Sequence, residues 1–247
     1  MKNPISISYL RNKFLEGIIT RLCKYLPASD IGRLFERVQI DFAGEDPRIG
    51  AYALEYNNPQ ALCFLIDAYP TLRRLFNEYP RMSDIRLIDI GPAFGAAGGL
   101  LAQMHRSHFL GPKLRVDALD IVADRKNFIE MSYPMISFLH SRIEDISPDK
   151  TWDIAYCSNV IEHLDNPQNF LRLLLERIHG YAVLLAPYME EKPLSLDHKV
   201  QINEATFEGF PIISFEKLTT PAWPPTADGV ARQQALIVLR GTARSKV

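Results

Sequence analysis

The chain has 247 residues and a formal net charge of −1, with 28 Lys and Arg side chains against 29 Asp and Glu. This balance argues against nucleic acid as a partner, because no overall basic field is present to attract phosphates. The hydrophobic content of 47% allows a sizeable core, and three scattered cysteines argue against a disulfide framework. The sequence lacks both an apolar run of roughly 18 residues and a signal peptide, so a cytoplasmic protein is expected.

The first part of the chain, 1–80, is predicted to form a helical extension or lid. Apolar residues recur at helical spacing from Ile7 to Leu26, and the same segment is rich in Lys and Arg. A basic amphipathic helix can lie on an anionic membrane surface. Packing on the domain or in a homodimer contact is the favoured alternative. A later helix before residue 80 is expected to be kinked or broken at Pro70.

From residue 81 to 247 the pattern changes to alternating strands and helices. Strands are predicted at 85–90, 113–120, 136–140, 152–157 and 181–186, followed by two late strands, "PIISFEKL" and "QALIVLR", with no helix between them. β-α alternation implies parallel strands with right-handed crossovers, and the final pair implies an antiparallel hairpin. The predicted fold is α/β, with a doubly wound, mostly parallel seven-stranded sheet and the N-terminal helical extension.

The helix after the fourth of these strands carries clear end signals. Asp165 or Asn166 can cap its start, Pro167 lies in its first turn, and Gly180 is expected to follow its end.

A glycine loop, "GPAFG" (91–95), follows the first strand and borders the crevice where open parallel sheets bind ligands. A dinucleotide loop requires G-x-G-x-x-G, but the register from Gly91 meets Ala93 and Ala96. A phosphate loop of the NTPase type requires a Gly-Lys-Ser/Thr ending, and no lysine lies nearby. The loop therefore predicts a ligand other than a polyphosphate.

Four segments in order carry a resemblance to a known family: "LIDIGPAFG", Asp120, "SRIEDIS" and "WDIAYCSNVIEHLDNPQNFL". Together they resemble the class I S-adenosylmethionine-dependent methyltransferases over roughly 85–240. "LIDIGPAFG" is similar to that family's D-x-G-x-G-x-G, with Ala93 in place of the central glycine. The resemblance implies S-adenosylmethionine as cofactor, and the residues expected to contact it are Asp89, Gly91, Ala93, Gly95, Asp120, Ile121, Ile143, Glu144, Asp145, Cys157, Ser158 and Asn159.

The residue types suit this cofactor, which has no phosphate. Asp89 can attract its ammonium group, and Gly91 and Gly95 let the backbone approach closely. Asp120 can accept hydrogen bonds from both ribose hydroxyls, and the backbone at 143–145 can meet the adenine edge. Ala93 adds a methyl group near the ligand and is expected to disfavour a positive φ.

Methyl transfer depends mainly on alignment of the acceptor atom, and a hydroxyl acceptor also benefits from a general base. His163, in "VIEHL", is the candidate base, although it can equally orient the segment by hydrogen bonding. Asp197 and His198 form a second candidate pair, or simply part of a surface loop. No metal site is predicted, since His105 and His108 lack a third ligand.

The leading hypothesis is a methyltransferase that acts on an oxygen of a sugar, a glycan or another small molecule. One alternative is a catalytically silent S-adenosylmethionine-binding protein whose N-terminal helices dock a partner. A nucleotide-cofactor oxidoreductase is disfavoured by the glycine register.

Overall fold

The computed structural model describes residues 57–191, 193–194, 197–220, 223 and 232–243. The predicted basic helix, with its membrane and homodimer contacts, lies outside these residues, as does most of the 1–80 extension. Within the described ranges, no helix combines the length and the apolar character needed to cross a membrane.

The described elements follow the predicted alternation closely. The strands are β1 (Asp84–Ile90), β2 (Lys113–Asp120), β3 (Ile136–His140), β4 (Trp152–Ser158), β5 (Ile178–Pro187), β6 (Ile212–Thr219) and β7 (Gln233–Arg240). The α-helices are α1 (Asn58–Phe76), α2 (Ala96–Met104), α3 (Arg125–Ser132) and α4 (Pro167–Leu175). Short 3-10 turns lie at Ile143–Asp145, Ile161–His163 and Glu204–Phe207.

The described strands form one seven-stranded sheet in the order β3-β2-β1-β4-β5-β7-β6. The first five strands are parallel, whereas β7 pairs antiparallel with both β5 and β6. This confirms the predicted doubly wound sheet and its terminal hairpin. The chain runs outward from β1 in one direction and returns through β4 in the other. The loops after β1 and β4 therefore flank the topological switch point, where such sheets bind ligands.

The core covers both faces of the sheet. Alternate residues of β1, such as Leu87 and Ile88, belong to two separate buried clusters because successive side chains point to opposite faces. Helices α1, α2 and α3 supply the first cluster and α4 supplies the second. Because both faces of the sheet are covered, a ligand can reach the sheet at the carboxyl ends of the parallel strands.

The structure differs from two expectations about helix ends. Helix α1 is not broken at Pro70 but continues through it, since its buried apolar side chains compensate for the lost backbone hydrogen bond. Gly180 does not end α4, which stops at Leu175; it lies inside β5. A Cβ atom at Gly180 would lie 2.0 Å from the Tyr79 hydroxyl and 2.6 Å from the Asp153 carbonyl oxygen. Close packing therefore explains this glycine.

Candidate active site

A cleft of about 1550 Å³ opens at the carboxyl ends of the parallel strands. It is lined by the loops after β1, β2, β3, β4 and β5. Pockets for drug-sized ligands span about 300 to 1,000 Å³. The cleft is therefore large enough for a nucleoside cofactor together with a second small molecule.

The loop after β1 turns on three residues in the left-handed region. Gly91, Ala93 and Gly95 have φ values of 62°, 51° and 82°. The expectation that Ala93 would avoid a positive φ was wrong, because the tight turn between two glycines imposes it. At Gly91 the conformation is reinforced by packing, since a Cβ atom there would lie 2.5 Å from a methyl group of Val160. The loops after β1 and β4 thus meet at the switch point.

Ala93→Gly is expected to stabilise the protein by about 1 kcal/mol, because glycine carries no steric cost in the left-handed region. Urea denaturation at fixed pH measures this change. Equal or lower stability of the variant would show that the alanine methyl group makes contacts that offset the strain.

Asp89 lies near the end of β1 and borders the cleft with a side chain that is only 2% exposed. Burial raises the pKa of this carboxyl to about 7, the Gly98 backbone N–H lowers it in part, and the charge of Asp120 raises it further. A Cβ atom at Gly98 would lie 2.6 Å from Asp89 Oδ2. Gly98 is thus required by the carboxylate beneath it, while Gly99 makes room for the Tyr133 ring.

Asp120, the last residue of β2, is held by two hydrogen bonds. Its Oδ1 accepts from the Val122 backbone N–H at 2.9 Å, and its Oδ2 accepts from the Arg125 guanidinium at 2.8 Å. The Arg125 guanidinium also lies 5.5 Å from the centroid of the Phe94 ring. Each carboxylate oxygen retains a lone pair for a further donor. Sequence reasoning missed Arg125, because an arginine at the start of a helix carries no distinctive pattern.

Most of the residues predicted to contact the cofactor border the cleft. Those that line it are Asp89, Gly91, Ala93, Asp120, Ile121, Ile143, Glu144, Ser158 and Asn159, and His163 lines it as well. Gly95, Asp145 and Cys157 are not among the lining residues. Cys157 is 1% exposed and packs in the core, where burial raises the pKa of its thiol.

The wall beyond β4 and β5 carries a cluster of carboxylates and imidazoles. His163 Nδ1 lies 3.0 Å from the Asp197 carbonyl oxygen, and His198 Nδ1 hydrogen-bonds the Glu190 carboxylate. The two imidazole rings contact edge to face, with centroids 4.8 Å apart. The sequence indicated both histidines, but it gave no reason to place them together.

Glu162 completes this cluster and was not predicted as a site residue. Its side chain is 1% exposed, and Oε1 lies 4.0 Å from His163 Nε2. Burial raises the pKa of this carboxyl to about 8, and the charges of Glu190 and Asp197 add to the rise. An acidic side chain buried at a cleft wall requires a compensating partner when it ionises.

The segment that carries His198 is tied to the turn after β4 by its backbone. The amides of Lys199 and Val200 both donate to the Glu162 carbonyl oxygen, at 2.8 and 3.2 Å. Gln201 Nε2 donates to the Glu190 carbonyl oxygen at 2.7 Å. The two bonds to Glu162 join residues 37 and 38 positions apart onto one wall, which no local pattern could predict.

Comparison with known proteins finds one matching family and several distant relatives. Residues 88–176 match the family described as methyltransferase domain. Ubiquinone biosynthesis O-methyltransferases are similar: the protein of Rickettsia bellii (strain OSU 85-389) is 26% identical over 156 residues, which cover 61% of this chain and 58% of the relative. The protein of Rickettsia conorii (strain ATCC VR-613 / Malish 7) is 27% identical over 189 residues, which cover 74% of this chain and 58% of the relative. The chain thus spans less than two thirds of the length of these relatives.

Solved structures share the fold at low sequence identity. The N-methyltransferase NodS of Bradyrhizobium japonicum WM9, in complex with S-adenosyl-L-homocysteine, aligns with a TM-score of 0.52 at 15% identity, covering 71% of this chain and 85% of that chain. The [4+2]-cyclase SpnF aligns with a TM-score of 0.54 at 15% identity, and the alignment covers 72% of this chain and 82% of that chain. The same fold therefore supports different reactions, so the reaction has to be inferred from the residues of the site.

The sheet order, the antiparallel β7 and the cleft at the switch point define a class I methyltransferase fold. The matched methyltransferase domain, residues 88–176, runs from β1 to the end of α4 within this fold, so the chain carries a methyltransferase domain of the S-adenosylmethionine-dependent class.

The described residues fit S-adenosylmethionine. Asp89 Oδ2 is buried at the cleft and has no hydrogen-bond partner among the described residues. A cationic ligand group beside it would offset the cost of its ionisation. The neighbouring Asp120 carboxylate can accept from hydroxyl groups, so the β1–β2 side of the cleft suits a cationic nucleoside.

Proposed function

We propose that the protein transfers the methyl group of S-adenosylmethionine to a hydroxyl oxygen of a small molecule. The observation that carries this proposal is the division of one cleft into two unlike halves. Asp89 and Asp120 border the half at β1 and β2, whereas His163 and His198 border the half beyond β4 and β5. The first half suits the cofactor, and the second is left for the acceptor.

Oxygen is favoured as the acceptor atom for two reasons. The similar Rickettsia proteins are named as ubiquinone biosynthesis O-methyltransferases. The acceptor half also carries imidazoles and carboxylates, which suit removal of a hydroxyl proton. The cleft also has an aromatic lining that includes Trp223 and Tyr188, which offers flat apolar contact for a phenolic ring or a sugar face. Phenols and glycans are therefore both candidate acceptors.

Bound S-adenosylmethionine supplies an electrophilic methyl carbon with a good leaving group on sulfur. The chain's own contribution is placement: Asp89 binds the ammonium group, Asp120 fixes the ribose, and the loop after β1 approaches the ligand through its backbone. His163 Nδ1 donates to a carbonyl oxygen, so in the neutral ring Nε2 retains the lone pair. That nitrogen is free to act on the acceptor side, as the candidate base must.

Calorimetry with S-adenosylmethionine, S-adenosyl-L-homocysteine and NAD⁺ tests the cofactor. We expect binding of the first two and none of the third. Asp120→Asn should weaken S-adenosylmethionine by about tenfold, since a hydrogen bond to a charged group contributes about 1.5 to 3 kcal/mol. Asp124→Asn is the matched control, because Asp124 is exposed and makes no side-chain cap on α3. Equal affinity of the two variants would remove Asp120 from the cofactor site.

Transfer itself is tested with S-adenosylmethionine labelled at the methyl carbon and a panel of phenols and saccharides. We expect label in an alkali-stable ether of at least one acceptor class. Cofactor binding without transfer to any hydroxyl, amine or thiol acceptor would favour the silent cofactor-binding protein.

A further inference from the structure

The geometry points to a binding site for one divalent first-row transition-metal ion, held by Glu162, His163 and His198 at the acceptor end of the cleft. One ligand atom from each of these side chains lies within 4.8 Å of the others. Two imidazoles and one carboxylate form a ligand set that leaves further coordination positions open for an acceptor oxygen. The inference rests on and extends the proposed function, and it differs from the sequence-based expectation of no metal site.

Both histidines are arranged as metal ligands usually are. The Asp197 carbonyl can only accept, so His163 Nδ1 carries the proton and Nε2 carries the lone pair. The Glu190 carboxylate fixes His198 in the same way, again leaving Nε2 as the free donor atom. A second-shell carboxylate or carbonyl on the opposite ring nitrogen sets the tautomer and raises the basicity of the ligand nitrogen.

Glu162 supplies the independent sign of a missing cation. Its side chain is 1% exposed and borders the cleft, yet neither carboxylate oxygen has a hydrogen-bond partner among the described residues. Buried carboxylates are ordinarily paired or bound to metal. Lys199, the nearby lysine, forms its ion pair with Asp165 at 2.8 Å instead. A bound cation would pair the Glu162 carboxylate.

The surrounding charges favour a cation further. Glu190 and Asp197 lie beside the two imidazoles, with Asp197 Oδ2 3.5 Å from His163 Nδ1 and Asp197 Oδ1 4.0 Å from His198 Nε2. Ligand atoms around a metal at about 2.1 Å lie roughly 3 Å apart, so the three side chains must converge by about 1 Å on binding. The exposed side of the cluster allows that movement, since His163 keeps a third of its side chain accessible.

The ligand types select the metal. Imidazole nitrogens suit zinc and iron, whereas carboxylate oxygens suit manganese and magnesium. The mixed set predicts Mn²⁺ or Zn²⁺ in preference to Mg²⁺, which prefers oxygen ligands and retains its waters.

A metal here would change how the acceptor is activated. The ion binds the acceptor oxygen and lowers the pKa of its hydroxyl, whose proton passes to solvent. The oxygen forms a bond to the methyl carbon, and the carbon–sulfur bond breaks with its electron pair remaining on sulfur. His163 then acts as a ligand rather than as the general base.

The test uses tag-free protein stripped with a chelator and titrated with Mn²⁺, followed by the loss of the free Mn²⁺ signal in electron paramagnetic resonance. Zn²⁺ is titrated in competition with a chromophoric chelator. We expect one ion bound per chain, and at least tenfold weaker binding in Glu162→Gln and in His198→Ala. His108→Ala is the control, because His108 pairs with Asp84 at 3.2 Å outside the cleft. Thermal melts confirm that each variant is folded.

Binding that is absent, or that survives unchanged in both Glu162→Gln and His198→Ala, overturns the metal site. The proposed methyltransferase activity is read out separately, by calorimetry with S-adenosylmethionine on the stripped protein. Full cofactor binding and transfer by a protein that binds no metal at these residues would sink the site and leave the proposed function standing. Metal bound through these ligands, with no S-adenosylmethionine binding, would leave the site standing and sink the function.

Discussion

Asp89→Asn is expected to weaken S-adenosylmethionine binding by about 10- to 100-fold, because a charge-assisted hydrogen bond contributes about 1.5 to 3 kcal/mol. The carboxyl is 2% exposed at the end of β1, where an amide of the same shape fits without repacking. Calorimetry at pH 8 measures the loss. Asp124→Asn is again the control, since it removes an exposed carboxylate outside the cleft. Unchanged affinity in Asp89→Asn would place the ammonium group elsewhere.

The same substitution is expected to stabilise the ligand-free protein at alkaline pH. The pKa of Asp89 is raised from 3.8 to about 7 by burial and by Asp120. Between these two values the folded state holds a proton that the unfolded state has lost, so stability falls as pH rises. Asparagine removes that fall, and the buried Tyr156 hydroxyl beside it stays neutral throughout.

Chemical denaturation at pH 5, 6, 7 and 8 tests this sign. The difference in unfolding free energy between Asp89→Asn and the parent should grow as pH rises to about 7 and level off above that value. Cofactor affinity of the parent should move the opposite way, becoming tighter as Asp89 ionises. A constant difference across the series would mean that Asp89 is ionised in the folded protein throughout.

The sheet could be predicted from the sequence because its signals are local. β1 and β2 are short strands with buried apolar residues, and each carries an acid at or next to its last position, beside a glycine loop or a turn. The cofactor half of the cleft could be predicted for the same reason, since Asp89 and Asp120 lie at the carboxyl-terminal ends of two adjacent parallel strands. Their proximity follows from topology alone once the alternation is recognised.

The acceptor half could not be predicted in the same way. Glu162 lies beside His163 in the sequence, but its burial depends on the amides of Lys199 and Val200 that reach the turn from a distant loop. Only the assembled structure shows that its oxygens have no partner among the described residues.

The predictions for Gly180 and Pro70 rested on the intrinsic preference of each residue, for a helix end and for a helix kink or break. In the structure, Gly180 is required by the Tyr79 hydroxyl and Asp153 backbone that approach it, and Pro70 is tolerated inside a helix packed on the core. Tertiary packing overrides local propensity at both positions.

Gly91→Ala is expected to destabilise the protein by roughly 2 to 5 kcal/mol, combining two separate costs. The left-handed φ of 62° costs an alanine about 1 to 2 kcal/mol. The new Cβ atom would also lie 2.5 Å from Val160 Cγ2, and overpacking of this kind costs about 1 to 3 kcal/mol. Since Gly91 borders the cleft, S-adenosylmethionine affinity should fall as well.

Two further variants separate these costs. Gly209→Ala is the matched control for backbone strain, because Gly209 has a φ of 82° with no atom within 4 Å of a built Cβ. Its free energy of unfolding should fall only by the cost of backbone strain, about 1 to 2 kcal/mol. Gly91→Ala combined with Val160→Ala removes the steric contact, so the pair should show favourable coupling of at least about 1 kcal/mol in a double-mutant cycle of urea denaturation. Additive losses would show that the loops after β1 and β4 do not press on each other at the switch point. Restored stability without restored affinity would instead show that the Gly91 backbone itself approaches the cofactor.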